Sequence, residues 1–374
     1  MSIAQKASLF ILVLLAVVSV PAQEGPNKDV GETVAKPRKP DATTTTPDDS
    51  NQAPIPSKLS NRNKADLPPG APAFKVDTSV VTVDVAVIDN KGHFIPNIPR
   101  GNFRVLEDNV PQQISTFSIG EAPMTVCMVI EFSARFQQYW SSKWYETLTA
   151  SYGFLQTLKP EDYVAVIAYD LRTTILSDFS SDKRKAYEAM QMLRIPGFSE
   201  SNMFDALSET ADRMSGIEGR KAIVLIATGI DTFSKLTYDK ARKSLQDSGV
   251  PVYPIGILEM VGMYGGLPRE GITTMQAENE LKTFAKETGG MAFFPRFFGE
   301  LPQIYGAISQ SLRNQYAIAY SSSNQAKDGS YRKIKVELVN PATNEPLRVT
   351  DEKGKPIKYS IVAKAGYKAP REVE

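Results

Sequence analysis

The chain has 374 residues, 43 Lys+Arg against 42 Asp+Glu, and 42% hydrophobic residues, enough for two domains with real cores plus appendages. A formal net charge of +1 excludes the broad basic excess of a general nucleic-acid binder. One cysteine, Cys127, excludes intrachain disulfides and cysteine-rich metal sites; one histidine, His93, excludes His-pair metal motifs and is a poor basis for Ser-His-Asp chemistry.

The N-terminus reads as a targeting segment. Lys6 is the only charged side chain in residues 1–22, and Ala7 to Val20 is almost wholly apolar. Val20 and Ala22 are small residues placed for a cut before Gln23, so a signal peptide over 1–22 is expected. The apolar run is shorter than the ~20 residues of a comfortable span, which disfavours an uncleaved anchor. The expected localisation is periplasmic or secreted, with no membrane span after cleavage. Residues 23–73 contain nine of the 25 prolines and no aromatic residue, with Thr43-Thr44-Thr45-Thr46-Pro47-Asp48-Asp49-Ser50 as a typical stretch. Such a segment buries too little apolar surface to offset chain entropy, and a disordered Pro/Thr-rich linker is expected.

Order is expected from Phe74. Val81, Val83, Val85 and Val87 alternate with Thr82, Asp84 and Ala86, the period of a half-buried strand. Asp89-Asn90-Lys91-Gly92 is a turn, and His93 just after it reads as a solvated loop residue. Strands are expected at Phe103 to Glu107 and Gln113 to Ser118, separated by Asp108-Asn109, giving residues 74–120 as the first part of a small β-sandwich.

From 124 to 313 apolar strand runs alternate with helical stretches. Strands are expected at Thr125 to Ile130, Tyr163 to Tyr169, Thr173 to Leu176, Ala222 to Ala227, Val250 to Leu258 and Gly290 to Pro295. Helices are expected over Gln137 to Leu158, Lys183 to Leu193, Met203 to Met214, Lys235 to Asp247 and Glu300 to Arg313, with another before Gly290. This order implies a doubly wound α/β domain with a mostly parallel sheet. Residues 314–370 return to strands at Tyr316 to Tyr320, Arg332 to Leu338 and Tyr359 to Ala363. They would complete the sandwich, leaving the α/β domain inserted within it.

The region from about Phe74 to Pro370 resembles the von Willebrand factor A-related family described from Acidobacteria. The segments that carry the likeness include Val81-Thr82-Val83-Asp84-Val85, Asn102-Phe103-Arg104-Val105-Leu106-Glu107-Asp108, Pro160-Glu161-Asp162-Tyr163-Val164-Ala165 and Ser201-Asn202-Met203-Phe204-Asp205-Ala206-Leu207. Gly289 to Pro295, Leu312 to Tyr316 and Lys364 to Pro370 add to it. The resemblance implies a von Willebrand A, Rossmann-like domain in an exported protein, with a ligand site at the carboxyl ends of its strands, as is general for open parallel sheets.

The family's adhesion motif holds a divalent cation with Asp-x-Ser-x-Ser after the first strand, a Thr from a later loop and an Asp after the fourth strand. Mg²⁺ wants hard oxygen donors with carboxylates to balance its charge. At these positions this chain has Glu131, Ser133 and Arg135, then Ser201, then Thr228. A guanidinium donates and never accepts, so Arg135 cannot ligate a metal and is expected to pair with Glu131 instead. Mg²⁺ is therefore disfavoured and no cofactor is expected, although Asp205 and Asp231 are nearby oxygen donors. At the same edge Phe136, Trp140, Met263 and Tyr264 form a candidate interface with an unidentified protein partner.

Motifs for other chemistry are missing. There is no phosphate loop at Gly262 to Gly266, no dinucleotide fingerprint and no nucleophile elbow. Pro160-Glu161-Asp162 reads as a solvated turn, and Arg332-Lys333 as ordinary strand solvation. A non-enzymatic binding or scaffold role is expected. Metal-dependent adhesion through the altered site, or an enzyme with an unrecognised pocket at the strand edge, are the alternatives.

Overall fold

The valine alternation becomes β1 (Val80–Asp89) in a computed structural model that describes residues 80–371 apart from 91, 121, 134–143, 194–197, 218, 259–270 and 351–353. The expected signal peptide and linker lie outside the described residues. After β1 come β2 (Phe103–Glu107), β3 (Val110–Gln112) and β4 (Ile114–Gly120). Asp108 and Asn109, both at positive φ, make the tight turn between β2 and β3, a conformation Asp and Asn tolerate better than most residues.

The alternating region follows as β5 (Met124–Glu131), α1 (Trp144–Thr157), β6 (Tyr163–Tyr169), β7 (Thr173–Ser180), α2 (Lys183–Gln191) and α3 (Met203–Ser215). It continues with β8 (Arg220–Ala227), α4 (Tyr238–Ser248), β9 (Val252–Gly256), α5 (Ile272–Thr288) and α6 (Leu301–Arg313). The last stretch is β10 (Gln315–Ser321), β11 (Tyr331–Leu338), β12 (Val349–Thr350), β13 (Pro356–Ile357), β14 (Tyr359–Val362) and β15 (Gly366–Lys368).

Five strands form one sheet in the order β7-β6-β5-β8-β9, parallel except for β7 at its edge. The central strands are apolar on both faces because helices cover both, and two separate buried clusters lie above and below them. Cys127 is fully buried in β5, as a small hydrophobe. The remaining strands form two four-stranded antiparallel sheets, β14-β1-β10-β4 and β15-β11-β2-β3, which share a third core. The fold is thus a doubly wound α/β domain set into a small β-sandwich. The chain leaves the sandwich at Gly120 and returns at Gln315, and these two residues face each other in the β4–β10 ladder. Among the described residues, no helix is long and apolar enough to cross a membrane.

Several expectations need correction. The strand expected at Gly290 to Pro295 is reduced to a single parallel bridge between Ile255 and Phe293. Strand β7 runs to Ser180 and so is longer than expected, while β12, β13 and β15 are too short to announce themselves.

Asp162, expected to face water, is fully buried and ties three chain segments. Its carboxylate accepts from the backbone N–H of Met124 (3.0 Å) and of Lys159 (2.7 Å), and from the Arg313 guanidinium (2.8 Å). Arg332 is also buried, inside the sandwich, where it bonds Ser322 and meets Glu107 at 3.4 Å. Glu107 further accepts from the hydroxyls of Tyr320, Ser322 and Tyr367.

Burial opposes the charge of Asp162, but the bonds from Arg313, Met124 and Lys159 outweigh it and hold the carboxyl below its usual range. A depressed carboxyl contributes stability above its unfolded-state pKa and loses it as pH falls through the folded value. Asp162→Ala should cost about 3–5 kcal/mol at neutral pH, since it strands the Arg313 charge. Urea unfolding of the variant against the parent should show that difference shrinking at acid pH.

Candidate functional site

The carboxyl ends of β5, β6 and β8 converge with the loop before α3, and four of the sequence-predicted positions meet there. Glu131 ends β5, Ser133 follows two residues later, Ser201 precedes α3, and Thr228 follows β8. All four are buried, Glu131 and Ser201 completely. Arg135, Phe136, Trp140, Met263 and Tyr264 lie outside the described residues.

The Glu131 carboxylate is held by the protein itself. Ser133 Oγ donates to one oxygen (3.0 Å), while the Thr228 backbone N–H (2.7 Å) and Thr228 Oγ1 (2.8 Å) both donate to the other. Thr228 Oγ1 in turn accepts from the N–H of Ile230 at 3.2 Å. The loops are latched together by Ser201, whose carbonyl accepts from the N–H groups of Thr232 and Phe233 and whose own N–H donates to Thr232 Oγ1. The buried Tyr169 hydroxyl lies near Ser201 and Glu131.

The neighbouring acids are committed elsewhere. Asp231 accepts from the N–H groups of Phe204 and Ser234 and from Ser234 Oγ. Asp205 accepts from the N–H groups of Lys235 and Leu236. Each carboxylate therefore pins the loop after β8 to the start of α3. Among the described residues no group of three or more His, Cys, Asp or Glu side chains is placed to hold a metal.

Among the described residues the Glu131 carboxylate already accepts from three donors, whereas Mg²⁺ wants hard oxygen donors with carboxylates to balance its charge. Burial raises the Glu131 pKa, the three hydrogen bonds lower it, and the charge of Asp231 adds to the rise; the net direction is upward. Burial, then Glu131 and Asp231, likewise keep the Tyr169 phenol far above its usual range and neutral.

No family model matches this chain. No curated protein matches it either. Solved structures do resemble it. The von Willebrand factor domain of the type V pili tip protein Mfa5 from Porphyromonas gingivalis has 15% identity and a TM-score of 0.42, covering 52% of this chain and 96% of that one. Proximal thread matrix protein 1 from the mussel byssus has 14% identity and a TM-score of 0.42, covering 55% of this chain and 51% of that one. The conserved hypothetical protein BatB from Bacteroides thetaiotaomicron has 17% identity and a TM-score of 0.36, covering 50% of this chain and 98% of that one. Likeness at this level transfers no activity or partner.

Sequence reasoning missed two residues at this edge. Phe233, in the loop after β8, is 60% exposed although its N–H is bonded to Ser201. Phe198, three residues before Ser201, is 37% exposed with the Arg172 guanidinium 5.2 Å from its ring centre. A lone Phe in a polar loop gives no periodic signal, so only its neighbours in space mark it.

Because the Glu131 pKa is raised, its contribution is complete below the unfolded-state value and is lost as pH rises through the folded one. Glu131→Gln should therefore gain stability over the parent as pH rises. Glu131→Ala, which strands the Thr228 and Ser133 donors, should cost about 1–3 kcal/mol. Urea unfolding of both variants at mildly acid and mildly alkaline pH checks the two expectations.

Proposed function

We propose that this chain is an exported, non-enzymatic protein-binding module that engages its partner at the carboxyl edge of the parallel sheet without a divalent cation. The observation that carries the reading is the internal saturation of Glu131 by Ser133 and Thr228, where the family's motif would need a carboxylate free to bind metal. The pairing of Arg135 with Glu131 belongs to the same proposal and would add a charge partner to that closed site. Exposed aromatic rings supply the contact in this reading. Phe233 and Phe198 stand beside the latched loops, and in the sequence Phe136 and Trp140 follow β5 while Met263 and Tyr264 follow β9. Aromatic side chains at such an edge bury much apolar area at little entropic cost, about 1.5–3 kcal/mol for a fully covered Phe.

Two measurements test this. The thermal unfolding midpoint should be the same in Mg²⁺, Mn²⁺ or EDTA, because a ligand of the folded state would raise it. Micromolar Mg²⁺ or Mn²⁺ binding by calorimetry, lost in Glu131→Ala, would establish metal-dependent adhesion instead. Affinity capture from periplasm or culture medium should then recover a protein with the parent chain but not with Phe198→Ser/Phe233→Ser. Equal recovery by the folded double variant would remove those two rings from the contact.

A further inference from the structure

On one side of the sandwich β3 and β4 are the outer strands of the two sheets, joined by Gln113 alone. An outer strand carries a row of backbone N–H and C=O groups that no neighbouring strand bonds, and folded proteins blunt such edges with brevity, Pro, charge or a bulge. The other sheet edges among the described residues carry these devices. β3 is three residues long and contains Pro111, and β15 is three residues long and ends on Lys368. β14 has four residues and lies between Lys358 and Lys364. β7 carries Asp178 and two register shifts against β6. β9 contains Pro254 and is bridged at Ile255 to Phe293, and the β12–β13 hairpin pairs only two residues of each strand.

β4 lacks them over most of its length. Ile114–Gly120 reads Ile-Ser-Thr-Phe-Ser-Ile-Gly, with no Pro and no charged residue. Its one register shift against β10 falls before Thr116, at Ala319/Tyr320, so residues 116–120 stay in unbroken register. The Arg100 guanidinium bonds only the carbonyl of Ile114, at the start of the strand. Phe117 turns inward against Phe103 and Tyr316, while Thr116 and Ser118 are exposed on the other face. Ile119, and Val110 on the adjoining β3, are both about half exposed, so this side also offers apolar surface.

The charge pattern of β4 suits a second copy of itself. A strand that pairs with its own copy about a two-fold axis sets its own residues against one another, so any charge on it would meet a like charge. β4 has no charge to oppose. With the axis at Phe117, Thr116 of each copy faces Ser118 of the other, and Thr–Ser pairs across antiparallel strands are favourable. The sheet β14-β1-β10-β4 would then run on into its copy as one sheet of twice the width. Residues 23–73 of the same chain are a poorer occupant, because the nine prolines there have no N–H to give to a ladder.

We propose that β4 pairs antiparallel with β4 of a second copy of this chain, joining two sandwiches into a homodimer through residues 116–119. So short a pairing makes a small, reversible interface, and sedimentation velocity of the full chain should show monomer giving way to dimer between about 1 and about 100 μM. Thr116→Lys/Ser118→Lys sets like charges opposite each other and should weaken association by about tenfold or more at low salt. Thr116→Glu/Ser118→Glu should do the same, and mixing the two variants should restore a dimer containing one of each. Circular dichroism and thermal unfolding establish that the variants are folded. If they are not, hydrogen exchange of the parent decides, with amide protection at residues 116–119 rising with chain concentration. A parent that stays monomeric at about 100 μM would overturn the proposal. So would a dimer that survives the lysine variant, or folded variants that fail to pair when mixed. Protection of residues 116–119 that is independent of concentration would place another segment on this edge and overturn it as well.

Discussion

A single buried carboxylate, Asp162, organises the root of the inserted domain. It is bonded to the first residue of β5 and to the last residue of α6, which are the points where the chain enters the α/β domain and leaves it. The β4–β10 ladder brings Gly120 and Gln315 together from the sandwich side. The Asp162 bonds hold the same junction from the domain side. Arg220 reinforces it by donating to the carbonyl of Arg313 at the end of α6. With its root fixed, the domain presents the opposite ends of its strands to solvent, and there the loops carry the candidate site.

Two buried acids in one domain are thus handled in opposite ways. Asp162 keeps its charge because a guanidinium and two backbone N–H groups face it. Glu131 meets only neutral donors among the described residues around it, and its pKa moves up. The partners differ in charge, and burial, which opposes ionisation of both side chains, prevails only at Glu131.

Much of this was legible from residue order. The alternation from Val81 to Val87 and the apolar runs of β5, β6 and β8 have lengths and periods that burial on one or two faces imposes. Glu131, Ser133, Ser201 and Thr228 were also traceable, because a motif at strand ends fixes where its members meet. The burial of Asp162 and Arg332 was not. Their partners Arg313 and Glu107 lie 151 and 225 residues away, and in local sequence each looks like a charge in a polar turn or at a strand start.

The way the domain is inserted also constrains the order of folding. The β1–β10 ladder pairs Val80 with Ser321 and Val85 with Tyr316, contacts that close a very long loop if made from the unfolded chain. Once the α/β domain has formed, its two ends already lie side by side, and most of that closure entropy has been spent on contacts with shorter separation. A formed α/β domain therefore lowers the entropic cost of closing the sandwich.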